Sequence, residues 1–400
     1  MENRRADRRL RDAIRGCLFG GAVGDALGYP VEFLNEREIF GEYGPEGITA
    51  YEKDPLARKP VISDDTQMTL FTANGLLVWE TERNAAQEKD GVSAFFPRQY
   101  IARAYRDWLL TQESSIRTVS ALQRKTAKGG YSWLLDVPEL YHRRAPGITC
   151  LAALGDDITY DDYVKAKVNQ SKGCGGIMRV APIALDKHIG GIETVDMEGA
   201  QAAAITHGHS LGYMTSAVLV HIINRIVYPP EGSQMTLEEI VCEARDTAAK
   251  IFAGDPGLKK LSEVIDLALD LAWKSKKNES TRQEDLANIH RLGEGWVAEE
   301  TLGISLYCAL RHRDDFSEAM IVSVNHRGDS DSTGAVTGNI LGAYLGYSAI
   351  EEKWKKELEL ADVILELADD LYLAARTQGK EPFHTKAWKK KYVEMRRYEK

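Results

Sequence analysis

Cysteine is scarce in this chain, and its spacing excludes two kinds of site. Only five cysteines occur in 400 residues. They are Cys17, Cys150, Cys174, Cys242 and Cys308. Because their number is odd and no CxxC pair is present, they fit neither a disulfide framework nor a structural zinc site. The pattern favours a reducing compartment, and we expect a cytoplasmic protein.

An excess of positive charge and a long apolar run are missing as well. The formal net charge is −9, which argues against a general nucleic-acid binder. No secretory signal follows the arginine-rich N-terminus, and no run reaches the roughly 18 apolar residues that span a bilayer. We therefore expect neither membrane nor general nucleic acid as a partner, and we expect a monomer. The basic ends, including residues 386–400, are interpreted as solvated helix faces or chain ends.

Alternating strand patterns of useful length are scarce, whereas helical spacing recurs. Apolar residues follow the roughly 3.6-residue helical period in residues 68–79, 240–251 and 296–310. The predicted fold is all-α with many helices. Since no Gly/Ser/Pro-rich linker divides the chain, we predict one domain that spans residues 1–400.

Two glycine series stand at helical spacing. They are Gly16, Gly20, Gly24 and Gly28, and Gly334, Gly338, Gly342 and Gly346. On a helix each series forms a smooth stripe that costs about 3 kcal/mol relative to alanine. Close approach of another backbone would offset that cost, so we predict two central helices in tight contact. The same segments carry carboxylates, Asp25 and Glu32 in the first and Asp329 and Asp331 in the second.

Acidic residues with flanking hydroxyls open two of the predicted helices. One cluster is Ser63-Asp64-Asp65-Thr66, and the other lies in residues 328–333. Either cluster alone is also typical of an ordinary helix N-terminus, where acidic residues complement the dipole. Four carboxylates with Ser/Thr oxygens are hard ligands that suit Mg²⁺ or Mn²⁺ better than Zn²⁺. If the fold joins the clusters, a two-metal site results.

Three further features are chemically suggestive. Glu32 follows a proline that should end the first glycine helix, which places it in a loop. The segment 171–179 is glycine-rich without being a Walker A loop or a dinucleotide fingerprint; it either binds an anion, with a helix from Ile177, or is a tight turn. Its last residue, Arg179, is assigned a structural role. His207 is interpreted as a substrate contact or a core histidine.

Taken together, these motifs resemble the ADP-ribosylglycohydrolases, which include the dinitrogenase-reductase-activating enzymes. The matching stretches are GCLFGGAVGDALGYPVEF (16–33), SDDTQM (63–68), SKGCGGIMRVAPIAL (171–185), THGHSLG (206–212) and NHRGDSDSTGAVTGNILGAYLG (325–346). The recognisable core runs from about residue 12 to about residue 350. Residues 351–400 would add C-terminal helices and the basic tail.

The resemblance implies a compact all-α fold with a central binuclear Mg²⁺ or Mn²⁺ site. It assigns the metal ligands to Ser63, Asp64, Asp65, Asp329, Asp331 and Ser332, where Ser332 replaces the commoner threonine. It assigns the diphosphate contacts to Ser171, Gly173, Cys174 and Gly175, where Cys174 replaces an asparagine or serine of other members. It places Glu32 near the scissile bond and His207 near the ADP-ribose.

The predicted function is Mg²⁺-dependent hydrolysis of the anomeric N- or O-glycosidic bond of an ADP-ribosylated protein or small molecule. Glu32 would act as general base or orient the water, with a metal-bound aspartate as the rival catalytic carboxylate. Two alternatives stay open. In one, the same fold hydrolyses a small ribosylated metabolite or nucleoside. In the other, the protein is a non-catalytic ADP-ribose binder or toxin blocker. Intact acidic motifs favour an enzyme.

Overall fold

The structure is a computed structural model that describes residues 2–88, 96–119, 132–155, 158–278, 281–376 and 381–398. It confirms the all-α prediction. No β-strand lies within these ranges, where one isolated antiparallel bridge pairs Gly173 with Val297.

The described residues form seventeen α-helices. The N-terminal part contains α1 (Glu2–Gly28), α2 (Glu36–Tyr43), α3 (Asp64–Gln87) and α4 (Pro97–Glu113). The middle part contains α5 (Ile148–Leu154), α6 (Tyr163–Ala166), α7 (Ile192–Ala204), α8 (Ser210–Val227), α9 (Leu237–Ile251), α10 (Leu258–Asn278) and α11 (Arg282–Leu292). The C-terminal part contains α12 (Ala298–Arg311), α13 (Phe316–Val324), α14 (Ser330–Leu345), α15 (Glu352–Lys355), α16 (Ala361–Arg376) and α17 (Lys386–Tyr392). Short 3₁₀ helices include Tyr29–Val31, Cys174–Arg179 and Ala181–Leu185.

Helices α1 and α14 run antiparallel with their backbones in contact, which confirms the tight packing predicted from the glycine series. A Cβ atom built on Gly338 would overlap the carbonyl oxygen of Gly20. One built on Gly24 would overlap the carbonyl oxygen of Gly334. Any side chain at these positions would push the two helices apart, so close backbone approach accounts for the glycines.

The fourth glycine of the second series has a different role. Gly346 lies just beyond α14 with a φ of 86°, and its N–H donates to the carbonyl of Gly342 at 3.0 Å. This left-handed conformation favours glycine and ends the helix. Gly346 therefore terminates the stripe instead of extending it. At the other helix, α1 ends at Gly28, two residues before Pro30, as the proline predicts.

Helix α8 is longer and more apolar than the sequence prediction allowed. It has 18 residues and meets the length and composition test for a membrane span, which corrects the expectation that no segment would. In this fold 83% of its residues are buried inside the protein. It packs against α7, α9 and the 3₁₀ helix Ala181–Leu185. Burial among these neighbours accounts for its apolar character.

Two other predictions are wrong. Trp296 precedes α12 and is 39% exposed, so it does not belong to a buried helical face. Lys391 of the basic tail is buried rather than solvated. Its ammonium donates to Glu366 at 2.9 Å and contacts Asp370. Sequence spacing shows the charge of α17 but not the carboxylates of α16 that neutralise it.

Candidate metal centre and substrate site

The first acidic cluster is fixed to α1 by a buried carboxylate. Asp25 accepts the backbone N–H of Ser63 at 2.9 Å and that of Thr66 at 3.0 Å, and it also accepts the Thr66 hydroxyl. Ser63 caps α3, since its hydroxyl oxygen accepts the N–H of Asp65 at 3.2 Å. The side chains of Asp64 and Asp65 are thereby held, almost fully buried, in the first turn of α3.

The second acidic cluster lies at the start of α14. Asp329 is the N-cap and accepts the N–H of Ser332 at 3.2 Å, while Asp331 accepts the same N–H at 2.9 Å. The preceding Gly328 has a φ of 117°, which a side chain would strain. The N–H of Asp329 donates to the carbonyl of Glu294 at 2.8 Å. Backbone contacts therefore set the position of this cluster.

The charges of the two clusters act on each other at Asp65. Burial, followed by the charges of Asp64, Asp25 and Asp329, raises the pKa of Asp65 well above its ordinary value. Burial raises the pKa of Asp64 to about 8 and that of Asp25 to about 6. Burial, followed by the charge of Asp65, also raises the pKa of Asp331. The fold thus gathers into one buried site the aspartates that the sequence analysis singled out.

Glu32 lies at the edge of this site, directly after the 3₁₀ helix Tyr29–Val31. Its side chain is buried, and its Oε2 atom has no hydrogen-bond partner among the described residues. Burial, followed by the charges of Asp329 and Asp64, raises the pKa of Glu32 to about 9. A carboxyl group in this setting keeps its proton at neutral pH unless positive charge comes near it.

The glycine-rich segment, residues 171–179, lines the site beside the second acidic cluster. Its helix begins at Cys174 and is of the 3₁₀ type, which corrects the expected start at Ile177. The N–H of Cys174 donates to the carbonyl of Trp296 at 3.2 Å, and its Sγ atom lies 2.7 Å from Oδ2 of Asp329. The Ser171 hydroxyl accepts the N–H of Gly173 at 3.4 Å. The loop therefore stands beside the second acidic cluster.

His207 packs against this loop. A Cβ atom on Gly175 would lie 3.0 Å from Cε1 of His207, so a side chain there would crowd the ring. Burial, with a further contribution from Arg179, lowers the pKa of His207 to about 3, and the imidazole is neutral. Arg179 is fully buried and donates to the Thr206 hydroxyl at 2.6 Å, which confirms its structural role. His209 caps α8 instead and does not pair with His207.

Two contributors to the site were missed by sequence reasoning. Phe33 is 71% exposed and stacks on Trp296, with ring centroids 6.0 Å apart. Phe33 directly follows Glu32, and the carbonyl of Trp296 accepts the N–H of Cys174. The aromatic pair therefore connects the segment that carries Glu32 with the glycine-rich segment. Gly147 donates its N–H to Oδ2 of Asp64 at 3.2 Å. For Phe33, its position directly after Glu32 was the available sequence signal. For Gly147, no sequence signal was available, because its role depends on a contact between a loop and Asp64.

A separate buried acid cluster lies further along α3. The ligand atoms of Glu80, Asp186 and His188 all lie within 4.8 Å of one another. Arg83 donates to Glu80 at 2.7 Å, and Nδ1 of His188 is 3.1 Å from Oε1 of Glu80. Burial alone would raise the pKa of Glu80, but hydrogen bonds from His188 and Arg83 bring it below its ordinary value. This cluster contains its own positive charge.

The residues of the central site fit divalent cations. Carboxylates and serine hydroxyls are hard oxygen donors, which Mg²⁺ and Mn²⁺ prefer. Oδ2 of Asp65 is buried and has no hydrogen-bond partner among the described residues, as is true of Oε2 of Glu32. A cation would satisfy such acceptors and would reverse the rise in pKa that burial and mutual repulsion cause.

Comparison with known proteins points to one family. A sequence model of the ADP-ribosylglycohydrolase family matches residues 6–381, further at both ends than the stretch 12–350 expected from the motifs. The mouse protein named ADP-ribosylhydrolase ARH3 is 28% identical over 379 residues, which cover 86% of this chain and 87% of that protein. ADP-ribosylarginine hydrolase Tri1 of Pseudomonas putida (strain GB-1) is 22% identical over 90% of this chain and 78% of its own length.

A solved structure has the same fold. It is described as an ADP-ribosylglycohydrolase-related protein complex, and it superposes with a TM-score of 0.53 at 23% sequence identity. The match covers 92% of this chain and 99% of that one.

Proposed function

Because this chain belongs to the ADP-ribosylglycohydrolase family, we propose that it cleaves the anomeric glycosidic bond of ADP-ribosylated substrates in a Mg²⁺-dependent reaction. The chain is a hydrolase of the ADP-ribosylglycohydrolase type, and its named relatives hydrolyse ADP-ribosyl linkages. One observation carries the finer proposal: Oδ2 of Asp65 and Oε2 of Glu32 are buried carboxylate oxygens without a hydrogen-bond partner among the described residues, which a cation would satisfy.

The metal ligands in this proposal are Asp64 and Asp65 on α3, with Ser63, and Asp329 and Asp331 on α14, with Ser332. Bound Mg²⁺ or Mn²⁺ would supply positive charge that polarises the ribose hydroxyls and lowers the pKa of nearby acids. Asp25 is a positioning residue, because its carboxylate is occupied by Ser63 and Thr66. It sets the first cluster and has no role at the reacting atoms.

Glu32 is the proposed general base. Its Oε2 atom faces no protein donor in the described part of the chain, so it is available to a water molecule. In the protein alone its pKa is about 9, which keeps the carboxyl protonated at neutral pH. Once that pKa falls, Glu32 can take a proton from the attacking water as the water oxygen bonds to the anomeric carbon. The glycosidic bond breaks, its electron pair leaves with the departing group, and that group takes up a proton from Glu32 or from solvent.

The glycine-rich loop is the proposed site of the diphosphate. The N–H of Cys174 donates to the carbonyl of Trp296 at 3.2 Å, whereas the N–H of Gly173 makes only a long contact of 3.4 Å with the Ser171 hydroxyl; we therefore assign the anion contacts to the N–H groups of Gly173 and Gly175 and to the Ser171 hydroxyl. Backbone N–H groups can approach phosphate oxygens closely where no side chain intervenes. The neutral imidazole of His207 packs behind Gly173 and Gly175 and is placed to hydrogen-bond the ADP-ribose.

A substrate panel tests this proposal. Release of ADP-ribose should be measured from an ADP-ribosylated arginine peptide, an ADP-ribosylated serine peptide and a free ribosylated metabolite, each with Mg²⁺ and with chelator. We expect Mg²⁺-dependent release from at least one modified peptide. Release from the metabolite alone would favour the small-molecule alternative. Binding of ADP-ribose without any release would instead identify a non-catalytic binder.

A further inference from the structure

One cysteine reaches into the acidic centre. Sγ of Cys174 lies 2.7 Å from Oδ2 of Asp329. The backbone before it is fixed by the bridge between Gly173 and Val297, in which the N–H of Cys174 donates to the carbonyl of Trp296 at 3.2 Å and the N–H of Ala298 donates to the carbonyl of Lys172 at 2.8 Å. The loop backbone therefore holds Cys174 beside the second acidic cluster, within reach of the Asp329 carboxylate.

We propose that Cys174 makes this centre a binding site for thiophilic divalent cations such as Zn²⁺, with its sulfur as a ligand beside the Asp329 carboxylate. The inference rests on the metal centre of the proposed function and deepens it. Thiolate ligands select softer metals, whereas carboxylates alone suit Mg²⁺. A centre that combines both should accept Zn²⁺ in competition with Mg²⁺, and Zn²⁺ should inhibit the hydrolase.

The geometry suits a shared ion. Two donors on one Zn²⁺ are separated by no more than the sum of their bonds, about 2.3 Å to sulfur and about 2.1 Å to oxygen. The observed separation of 2.7 Å is shorter than the separation of about 3.6 Å that tetrahedral coordination with these bonds sets, so the two side chains would move apart by about 1 Å to admit the ion. Asp65 supplies a second, independent feature. Its Oδ2 atom is nine-tenths buried without a partner among the described residues.

The binding step needs no further reagent. The S–H bond of Cys174 breaks, a sulfur–metal bond forms, and the proton leaves to solvent. No electron is transferred, so neither an oxidant nor a reductant takes part. The other cysteines do not share this environment: Cys150 lies against Arg179, with 3.3 Å between Sγ and the guanidinium nitrogen, and Cys242 lies on α9.

Titration with Co²⁺ tests the inference without a rate measurement. Co²⁺ binds oxygen and sulfur ligands, and a cobalt–thiolate bond adds a near-ultraviolet charge-transfer band. The native chain and the control Cys242→Ser should both show the band. Cys174→Ser should lack it and should bind Co²⁺ about 10-fold more weakly or worse, the scale on which metal sites lose affinity when a supporting group is removed. Circular dichroism should show the same helix content in all three proteins.

Competition in the native chain provides the second measurement. Excess Mn²⁺ should erase the cobalt band, because both ions need Asp329, and Zn²⁺ should erase it at lower concentration. A band that survives in Cys174→Ser, or one that is indifferent to Mn²⁺, would place the sulfur ligand elsewhere and overturn the inference. Co²⁺ binding to the native chain without the band would also overturn it. Failure of Mn²⁺ itself to bind would instead overturn the metal centre of the proposed function.

Discussion

Two buried acid clusters that each use a residue of α3 differ in how their charge is balanced. At the far cluster, Arg83 donates to Glu80 at 2.7 Å, so the protein itself supplies a cation. At the central cluster, the groups that donate to the carboxylates are backbone N–H groups, hydroxyls and one thiol. Asp64, for instance, accepts the N–H of Gly147 at 3.2 Å.

This difference separates a structural cluster from a ligand site. Close grouping of ligand atoms alone would favour Glu80, Asp186 and His188 as a metal site, since those atoms lie within 4.8 Å of one another. Yet a divalent cation there would have to displace Arg83 from Glu80. The central carboxylates leave two buried acceptors, on Asp65 and Glu32, that an external cation can satisfy. Charge balance is therefore the better guide to function.

The largest expected effect comes from removing one charge at the central cluster. Asp329→Asn should abolish turnover while preserving the fold, because the substitution keeps the side-chain volume but weakens metal binding. Initial rates and circular dichroism would check both parts. Glu80→Gln is the matched control. It should lose stability but retain Mg²⁺-dependent turnover per folded molecule. Equal loss of turnover in both variants would erase the distinction between the clusters.

Glu32→Gln should lower kcat by about 100-fold or more, the usual scale for lost general-base help. The amide keeps the shape of the side chain but cannot accept the proton. Affinity for ADP-ribose should change little, because the glycine-rich segment and the metals supply most of the binding. Rates on the true substrate and calorimetry with ADP-ribose separate the two effects. A variant whose main defect is ADP-ribose affinity would show that Glu32 is a binding residue.

Gly338→Leu should destabilise the scaffold that delivers the central cluster, since overpacking costs about 1–3 kcal/mol or more. Its Cβ would overlap the Gly20 carbonyl oxygen of α1. Gly41 of α2 is a suitable control because a Cβ there meets no atom within 4 Å. Denaturant unfolding of Gly338→Leu and Gly41→Leu would measure the difference. Equal stability of the two variants would mean that helix contact does not explain the stripe.

A smaller effect should appear in the pH dependence of stability. Glu32 and Asp64 have raised pKa values, about 9 and about 8, so their contribution is present in acid and is lost as the pH rises through those values. Glu80 has a lowered pKa, so its contribution is lost as the pH falls. Mg²⁺ should therefore raise the melting temperature more at pH about 9 than at pH about 6, by about 2 °C or more. A Mg²⁺ effect that is independent of pH would argue against raised pKa values at the metal site.

Much of the scaffold was predictable because glycine spacing and helix starts are local patterns. The glycine series from Gly16 to Gly28 predicts close contact with another backbone from local spacing alone. The acidic residues at Asp64 and Asp329 likewise indicate where helices begin. Contacts between residues that are far apart in sequence produce no such local pattern. The burial of Lys391 depends on its contact with Glu366 of α16. The cluster at Glu80 depends on a contact with His188, which lies more than 100 residues later in the sequence. The one-domain organisation, the cytoplasmic location and the monomeric state stay predictions.

The central claim is that the two acidic helix starts hold a pair of divalent ions. Anomalous scattering from a crystal grown with Mn²⁺ tests it most directly. We predict two peaks about 3.5–4 Å apart, the usual separation in two-metal sites, with Asp64, Asp65, Asp329 and Asp331 as ligands. A Mn²⁺ peak at Glu80, Asp186 and His188 with none at the central aspartates would contradict the account.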